Sequence, residues 1–255
     1  MQVSIVTVCF NSAATIRDAI DSVLAQSHPD VEYIIIDGGS TDDTMKIVSE
    51  YEDRIATVVS EPDQGIYDAM NKGIRAATGD IVGILNSDDF FASKDVVADV
   101  VQAFRENEEA GIVFGDVVFV SPEDLNYVKR YYSSRHFKPW KLRFGYMPPH
   151  PATFVRRDLY TRYGEYNLEF RIAADYEMYV RWLIRNEVRF RRIDEVLVRM
   201  RLGGISTAGL RSSMVLNREI VRACVDNGLY TNFFCMLPKI PFKLFELVRR
   251  PPRAA

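Results

Sequence analysis

The chain has 255 residues, 47% of them apolar and 26% charged, and a formal net charge of −3. That length suits one large α/β domain with an appendage, and the balance excludes bulk disorder. Its three cysteines, Cys9, Cys224 and Cys235, are too few and too scattered for a disulfide framework or a zinc site, which fits a reducing cytoplasm.

Val3 to Val8 is predicted as a buried strand, short and β-branched. Asn11 and Ser12 stand where they can cap the next helix, whose apolar face is Ile16, Ala19, Ile20, Val23 and Leu24, and Pro29 closes it. Val31 to Ile36 reads as a second strand, nearly all apolar, as strands buried on both faces are. Ser40 and Asp43 form an expected capping box for a helix from Thr44 to Tyr51. Ile55 to Ser60 is a third strand, Ile66 to Ala77 a third helix, Asp80 to Leu85 a fourth strand, Val96 to Phe104 a further helix and Ile112 to Val120 a further strand. Leu210 to Val225 reads as a helix. The βαβαβαβ order predicts an α/β fold: a mostly parallel, Rossmann-like sheet covered by helices on both faces. In such sheets ligands bind outside the carboxyl ends of the strands, so the residues just after each strand carry the functional reading.

Those strand ends hold neither a G-x-G-x-x-G turn nor a P-loop. After the second strand comes Asp37-Gly38-Gly39-Ser40-Thr41-Asp42, where glycines admit a close ligand and a helix start offers free N–H groups. Asp37 ends its strand, where a carboxylate can accept hydrogen bonds from a base or ribose. After the third strand comes Glu61-Pro62-Asp63-Gln64-Gly65, running on through Asn71 and Lys72, and after the fourth comes Asn86-Ser87-Asp88-Asp89. Adjacent carboxylates repel unless a cation joins them, and Mg²⁺ or Mn²⁺ takes such oxygen ligands together with substrate phosphates.

Taken jointly, these motifs resemble the family 2 glycosyltransferases of GT-A fold, over roughly residues 1–205. Ser4 to Asn11 is similar to that family's first strand and nucleotide loop. Asp37 to Asp42 is similar to its Asp-Asp-Gly-Ser-x-Asp motif, with Gly38 in place of the second Asp. Asn86-Ser87-Asp88 stands where the family has a metal-binding Asp-x-Asp, which leaves Asp88 as the expected metal residue. The resemblance implies a nucleotide site of Thr7, Phe10, Asn11, Asp37, Gly39, Ser40, Asp63, Gly65, Asn71, Lys72, Asn86 and Ser87, with uridine as the expected base. It also implies a bacterial subset that builds O-antigen and exopolysaccharide, through His150 and Ala173-Ala174-Asp175-Tyr176. Asp175 matches the second acid of the family's Glu-Asp pair, the general base, with Ala174 replacing the Glu. His150 and Arg201 are candidates for contact with diphosphate or acceptor. One base without a matched nucleophile implies direct displacement with inversion, the acceptor hydroxyl losing its proton as it attacks the anomeric carbon.

Charge is strongly divided. Residues 1–128 hold 24 acidic and 7 basic side chains, and residues 129–255 hold 11 and 25. An acidic half suits a divalent cation and a basic half suits phosphates or an anionic membrane. No basic run is interleaved with stacking aromatics in a known module, so nucleic acid is not an expected partner. Residues 1–128 are read as the nucleotide-sugar half, 129–205 as the acceptor half and 206–255 as a helical extension. Beyond Gly228, Phe233, Phe234, Leu237, Phe242, Leu244, Phe245 and Leu247 mix with Lys239, Lys243, Arg249, Arg250 and Arg253, the composition of an interfacial membrane segment. A tail packed on protein is the alternative. No basic stretch precedes the first strand and no apolar run reaches the roughly 20 residues of a membrane span, so neither a signal peptide nor a spanning helix is expected. The combined expectation is a cytoplasmic enzyme, peripheral on the inner face of the membrane, that moves a sugar from a nucleotide-diphosphate donor to a glycan or polyprenyl-linked acceptor. Two rivals are a sugar-nucleotide nucleotidyltransferase, which the loop at 9–17 does not suit, and a non-catalytic nucleotide-binding scaffold, which Asn86 and Ala174 keep open.

Overall fold

The computed structural model describes residues 1–202 and 209–236. Gly203, Gly204, Ile205 and Ser206, and the tail from Leu237 through Arg253, lie outside the described residues. The chain runs β1 (Val3–Cys9), α1 (Ile16–Leu24), β2 (Val31–Asp37), α2 (Thr44–Ser49), β3 (Thr57–Ser60), α3 (Ile66–Ala76), β4 (Ile81–Asn86), β5 (Asp89–Phe91), α4 (Val96–Glu106) and β6 (Ile112–Val120). It continues through β7 (Val128–Tyr132), β8 (Thr153–Arg156), α5 (Asp158–Tyr163), α6 (Ala174–Val180), β9 (Phe190–Arg201) and α7 (Gly209–Asp226). Short 3-10 turns at Pro139–Phe144 and Phe233–Met236 belong to the same second half.

The described strands form one sheet in the order β3-β2-β1-β4-β8-β6-β9-β5, with β7 on the edge of β6. Strands β3, β2, β1 and β4 are parallel, as the βαβ order requires. The second half departs from that pattern: β8 is antiparallel to β4 and β6, β9 is parallel to β6, and β5 is antiparallel to β9. The turn from β4 into β5 spans only Ser87 and Asp88, and β5 pairs with β9 rather than folding back on β4.

Period-2 alternation along the central strands divides the core. Val6, Val8, Ile34, Ile36, Val82 and Ile84 face one way, against Ala69, Met70 and Ile74 of α3 and the apolar sides of α6 and α7. Ile5, Tyr33, Ile35, Ile81 and Leu85 face the other way, against Ile16, Ile20 and Val23 of α1 and the valines of α4. Ile220, Ala223 and Cys224 of α7 are buried in the first of these layers, beside Tyr176, Val180 and Trp182. No helix among the described residues is long and apolar enough to cross a membrane.

Two local expectations change. Asn11 and Ser12 do not cap α1, whose cap position is Thr15 without a side-chain bond; Asn11 turns instead to the β2–α2 loop, and Ser12 to Ser87. Ser40 is not part of a capping box, because its hydroxyl is drawn to Asp37. Asp42 closes the start of α2, accepting from the Thr44 N–H at 3.0 Å and the Thr44 hydroxyl.

Candidate active site

Parallel pairing sets Cys9 beside Asp37, Val8 beside Asn86 and Asp37 beside Ser60, so three loops open at one edge of the sheet. At their centre is Asp37, fully buried. Its oxygens accept from the Gly39 and Ser40 N–H groups and from the hydroxyls of Ser40 and Ser60. Burial works against its charge, but the Ser40 and Ser60 hydroxyls and those N–H groups outweigh it and hold the carboxyl below its ordinary value. Asp37 therefore shapes the loop rather than facing a ligand. Asn11, at φ 49°, clips the first loop to the second: its Oδ1 accepts the Thr41 N–H at 2.9 Å and its own N–H donates to Ser40 Oγ at 2.8 Å.

The nucleotide residues expected from the sequence separate into two groups. Phe10, 61% exposed, and Asp63 meet over Gly38. A Cβ at Gly38 would lie 2.3 Å from Asp63 Oδ2 and 3.5 Å from the Phe10 ring. The Asp63 carboxylate thus fills the space that a side chain at position 38 would take. Its Oδ1 accepts the Gly65 N–H at 2.8 Å, while Oδ2 accepts no hydrogen bond among the described residues. Gly39 lies in this second loop, and Gly65 caps α3 with φ 118°, an angle that favours glycine.

Two expected residues, Thr7 and Asn71, are buried away from the crevice, and a third, Lys72, is tied to the 61–63 loop at its edge. Thr7 is fully buried inside β1, its hydroxyl accepting from Tyr33 at 3.1 Å. Asn71 is buried in α3, and its amide is committed to both backbone groups of Tyr166, at 2.9 Å each. Lys72 reaches back to the Pro62 carbonyl and to Glu61, at 2.9 Å each. A position just before a strand end, or one turn into a helix, does not reveal from sequence which way its side chain points.

Beside β4, the Ser87 hydroxyl meets Ser12 at 2.8 Å. Asn86 donates to Asp89 at 3.2 Å, leaving its own buried Oδ1 without a partner. Burial raises the Asp88 carboxyl, with the Arg201 charge opposing. Burial and the Asp88 charge push Asp89 well above its ordinary value. The described residues hold no group of three or more His, Cys, Asp or Glu able to hold a metal by themselves. What they present is two carboxylates disfavoured as anions, on Asp88 and Asp89, and one buried amide oxygen without a partner, on Asn86. Arg201, at the end of β9, donates to the Asp88 carbonyl at 2.8 Å, pairs with Asp18 and lies over the Phe90 ring.

A second cluster forms where α3 meets the acceptor half. Asp175 is the second residue of α6, and its Oδ1 accepts from the Tyr176 N–H at 2.8 Å and from the Tyr67 hydroxyl at 3.1 Å. Tyr67 also donates to the Ile172 carbonyl at 2.7 Å and stacks on Tyr166, ring centroids 5.5 Å apart. The Tyr166 hydroxyl meets His150 Nε2 at 2.6 Å. Burial lowers the His150 pKa, with the Asp175 charge opposing, so the imidazole is neutral at pH 7. Asp175 Oδ2 accepts no hydrogen bond among the described residues. Tyr67 and Tyr166 were not singled out by the sequence; their partners lie about a hundred residues away or on another element, and no local pattern announces such contacts.

A sequence model described as glycosyl transferase family 2 matches residues 4–163, more than half of the chain. The chain belongs to glycosyltransferase family 2. A "PGL/p-HBAD biosynthesis glycosyltransferase" of Mycobacterium bovis (strain BCG / Pasteur 1173P2) is 33% identical over 181 residues, 70% of this chain and 68% of that protein. An "uncharacterized glycosyltransferase" of Mycobacterium tuberculosis (strain CDC 1551 / Oshkosh) is 37% identical over the same span and shares. Among solved structures, S. aureus TarS 1–349 in complex with UDP-GlcNAc is similar at TM-score 0.68 and 18% identity, covering 90% of this chain and 68% of that one. The mannosyltransferase PcManGT of Pyrobaculum calidifontis, in complex with GDP-Man and Mn²⁺, is similar at TM-score 0.63 and 17% identity, covering 98% and 81%. This family 2 glycosyltransferase therefore has the GT-A fold.

Asn71 separates structure from binding in the transferase. Replacing it by alanine strands the Tyr166 N–H and carbonyl, and we expect Asn71→Ala to lower unfolding free energy by about 2–3 kcal/mol in urea titrations. Nucleotide affinity should stay within about twofold of the parent, since a twofold change in Kd is under 0.5 kcal/mol. A large loss of affinity at unchanged stability would return Asn71 to the donor site.

Proposed function

We propose that this transferase moves a sugar, with inversion, from a UDP-sugar to a hydroxyl of a glycan or polyprenyl-linked acceptor, with Asp175 as general base. The observation that carries this reading is the pose of Asp175: one oxygen held by the Tyr176 N–H and the Tyr67 hydroxyl, the other open. The open oxygen takes the acceptor proton as the acceptor oxygen bonds to the anomeric carbon; the bond from that carbon to the diphosphate breaks and its electron pair leaves with the nucleotide. Neutral His150, fixed by Tyr166, adds no second charge beside the base and offers a ring nitrogen to the sugar or acceptor. A single displacement of this kind inverts the anomeric centre.

The donor site has Phe10 as a flat apolar face and Asp63 Oδ2 as one open acceptor beside it. That pairing suits a base with a lone ring N–H flanked by carbonyls, as in uracil. Asp88 and Asn86 Oδ1 would hold Mg²⁺ or Mn²⁺, which when bound neutralises charge on the departing diphosphate. Arg201 stands beside them as a fixed positive charge.

The reading includes a peripheral place on an anionic membrane. Trp140, Tyr230, Phe233 and Phe234 are 51%, 71%, 53% and 80% exposed. Their two turns are joined where Thr231 donates to the Arg143 carbonyl at 2.6 Å, and Lys141 and Arg143 lie in the same turn as Trp140. Exposed aromatics beside cations are the composition that lodges at a lipid headgroup boundary.

Three measurements test these parts. In thermal-shift assays with Mn²⁺, UDP should raise the midpoint by several degrees and GDP and CDP by less; Asp88→Asn should remove the Mn²⁺-dependent part. No shift with any nucleotide would sink the donor assignment. Asp175→Asn should cut kcat by about 10²- to 10⁴-fold while keeping the UDP shift, and an undiminished rate would rule out its role as base. In flotation with phosphatidylserine vesicles, the parent should bind and Trp140→Ala/Phe234→Ala should stay in solution. Equal binding of both would remove this surface from the proposal.

A further inference from the structure

α7 lies beyond the residues that match the family, yet one of its side chains grips the segment that leads into the general base. Glu219 Oε1 accepts the Arg171 N–H, and Oε2 accepts the Ile172 and Ala173 N–H groups, each at 2.9 Å. Ala173 is the cap position of α6, and α6 has no side-chain cap bond of its own. A helix start leaves backbone N–H groups unpaired and carries partial positive charge, so a carboxylate there is doubly favoured. Asp175 itself accepts the first-turn N–H of Tyr176 at 2.8 Å, while the N–H groups of the segment leading into the helix, residues 171 to 173, are taken by a carboxylate from another helix, 46 to 48 residues further along the chain.

Ile172 is held from both sides. Its N–H goes to Glu219, and its carbonyl accepts the Tyr67 hydroxyl that also donates to Asp175. α7 is itself fixed at this point: Ile220 and Ala223 are buried against the core, Arg222 pairs with Glu169 and lies over the Phe170 ring, and Asn227 donates to Glu177 of α6 at 3.2 Å.

We propose that Glu219 is a positioning residue for transfer: through the 171–173 backbone it fixes the place and direction of the Asp175 carboxylate. The inference rests on the reading of Asp175 as base. It differs from a general stabilising role because, among the described residues, the hydrogen bonds of the Glu219 carboxylate all go to this segment and none to the 37–42 or 61–65 loops. Losing it lets the base drift while the UDP site stays whole, and small displacements of a reacting group cost large factors in rate.

The test uses the full chain with Glu219→Ala and Glu219→Gln, assayed for transfer and for UDP-induced thermal shift. We expect Glu219→Ala to lower kcat about 10- to 100-fold, with the donor KM and the UDP shift near those of the parent. Glu219→Gln keeps the shape and one acceptor oxygen, so it should fold as the parent does and recover part of kcat. The UDP shift reports a folded donor site in each variant. Unchanged kcat in Glu219→Ala, or a fall in kcat matched by equal loss of donor affinity, would overturn the proposal. Asp175→Asn, run alongside, separates the two ideas: if it is inactive while Glu219→Ala is fully active, only the positioning role fails. If Asp175→Asn is active, the base reading fails and takes this inference with it.

Discussion

A carboxylate sealed from water organises the donor side of this molecule. Asp37 is held charged by hydroxyls and backbone N–H groups, and each of its partners is thereby fixed. Ser60 ties in the end of β3, and Gly39 and Ser40 are folded into a tight loop. Ser40 in turn receives the N–H of Asn11 from the end of β1. An uncompensated buried charge is so unfavourable that this set of bonds forms together or not at all. The crevice edge, with Phe10 and Asp63 over Gly38, is what that closed network leaves facing outward.

The acceptor side is assembled by long-range contacts. The first turn of α3 serves both clusters: Gly65 caps it next to Asp63, and two residues on Tyr67 reaches Asp175. The Asp63 loop and the Asp175 carboxylate are therefore both tied to the same end of one short helix. The sheet's change from parallel to mixed after β4 has the same effect, since β9 brings Arg201 back to Asp88 across 113 residues.

Much of the fold was legible because the parallel units are local. Apolar strands followed by amphipathic helices announce themselves within thirty residues, and β6 begins and ends where its β-branched run does. β5, β7, β8 and β9 were not anticipated: β7 is short and half-exposed with no clean alternation, and β5, β8 and β9 take partners far along the chain. The same limit shaped the site. The motif at 37–42 located the donor edge, yet Asp37, Thr7 and Asn71 proved to point inward, since a motif fixes where the chain turns and packing fixes which atoms remain open. Gly38 was seen as a missing carboxylate; only the fold shows the Asp63 carboxylate filling that place from another loop.

The Arg201 contacts have a consequence for how the protein is made. Asp88, Asp89 and Asp18 leave the ribosome early, while the guanidinium that meets Asp18 and the Asp88 backbone comes from the last strand described, 183 and 113 residues later respectively. Domains acquire structure as the chain emerges, and non-local strands join last. Through most of synthesis this corner is a cluster of acids with no cation of its own, and β9 closes the sheet and supplies that charge in a single step. A chain cut short before β9 would lack both the strand between β6 and β5 and the guanidinium that meets these acids, so the order of this corner reports that the second half of the sheet has been completed.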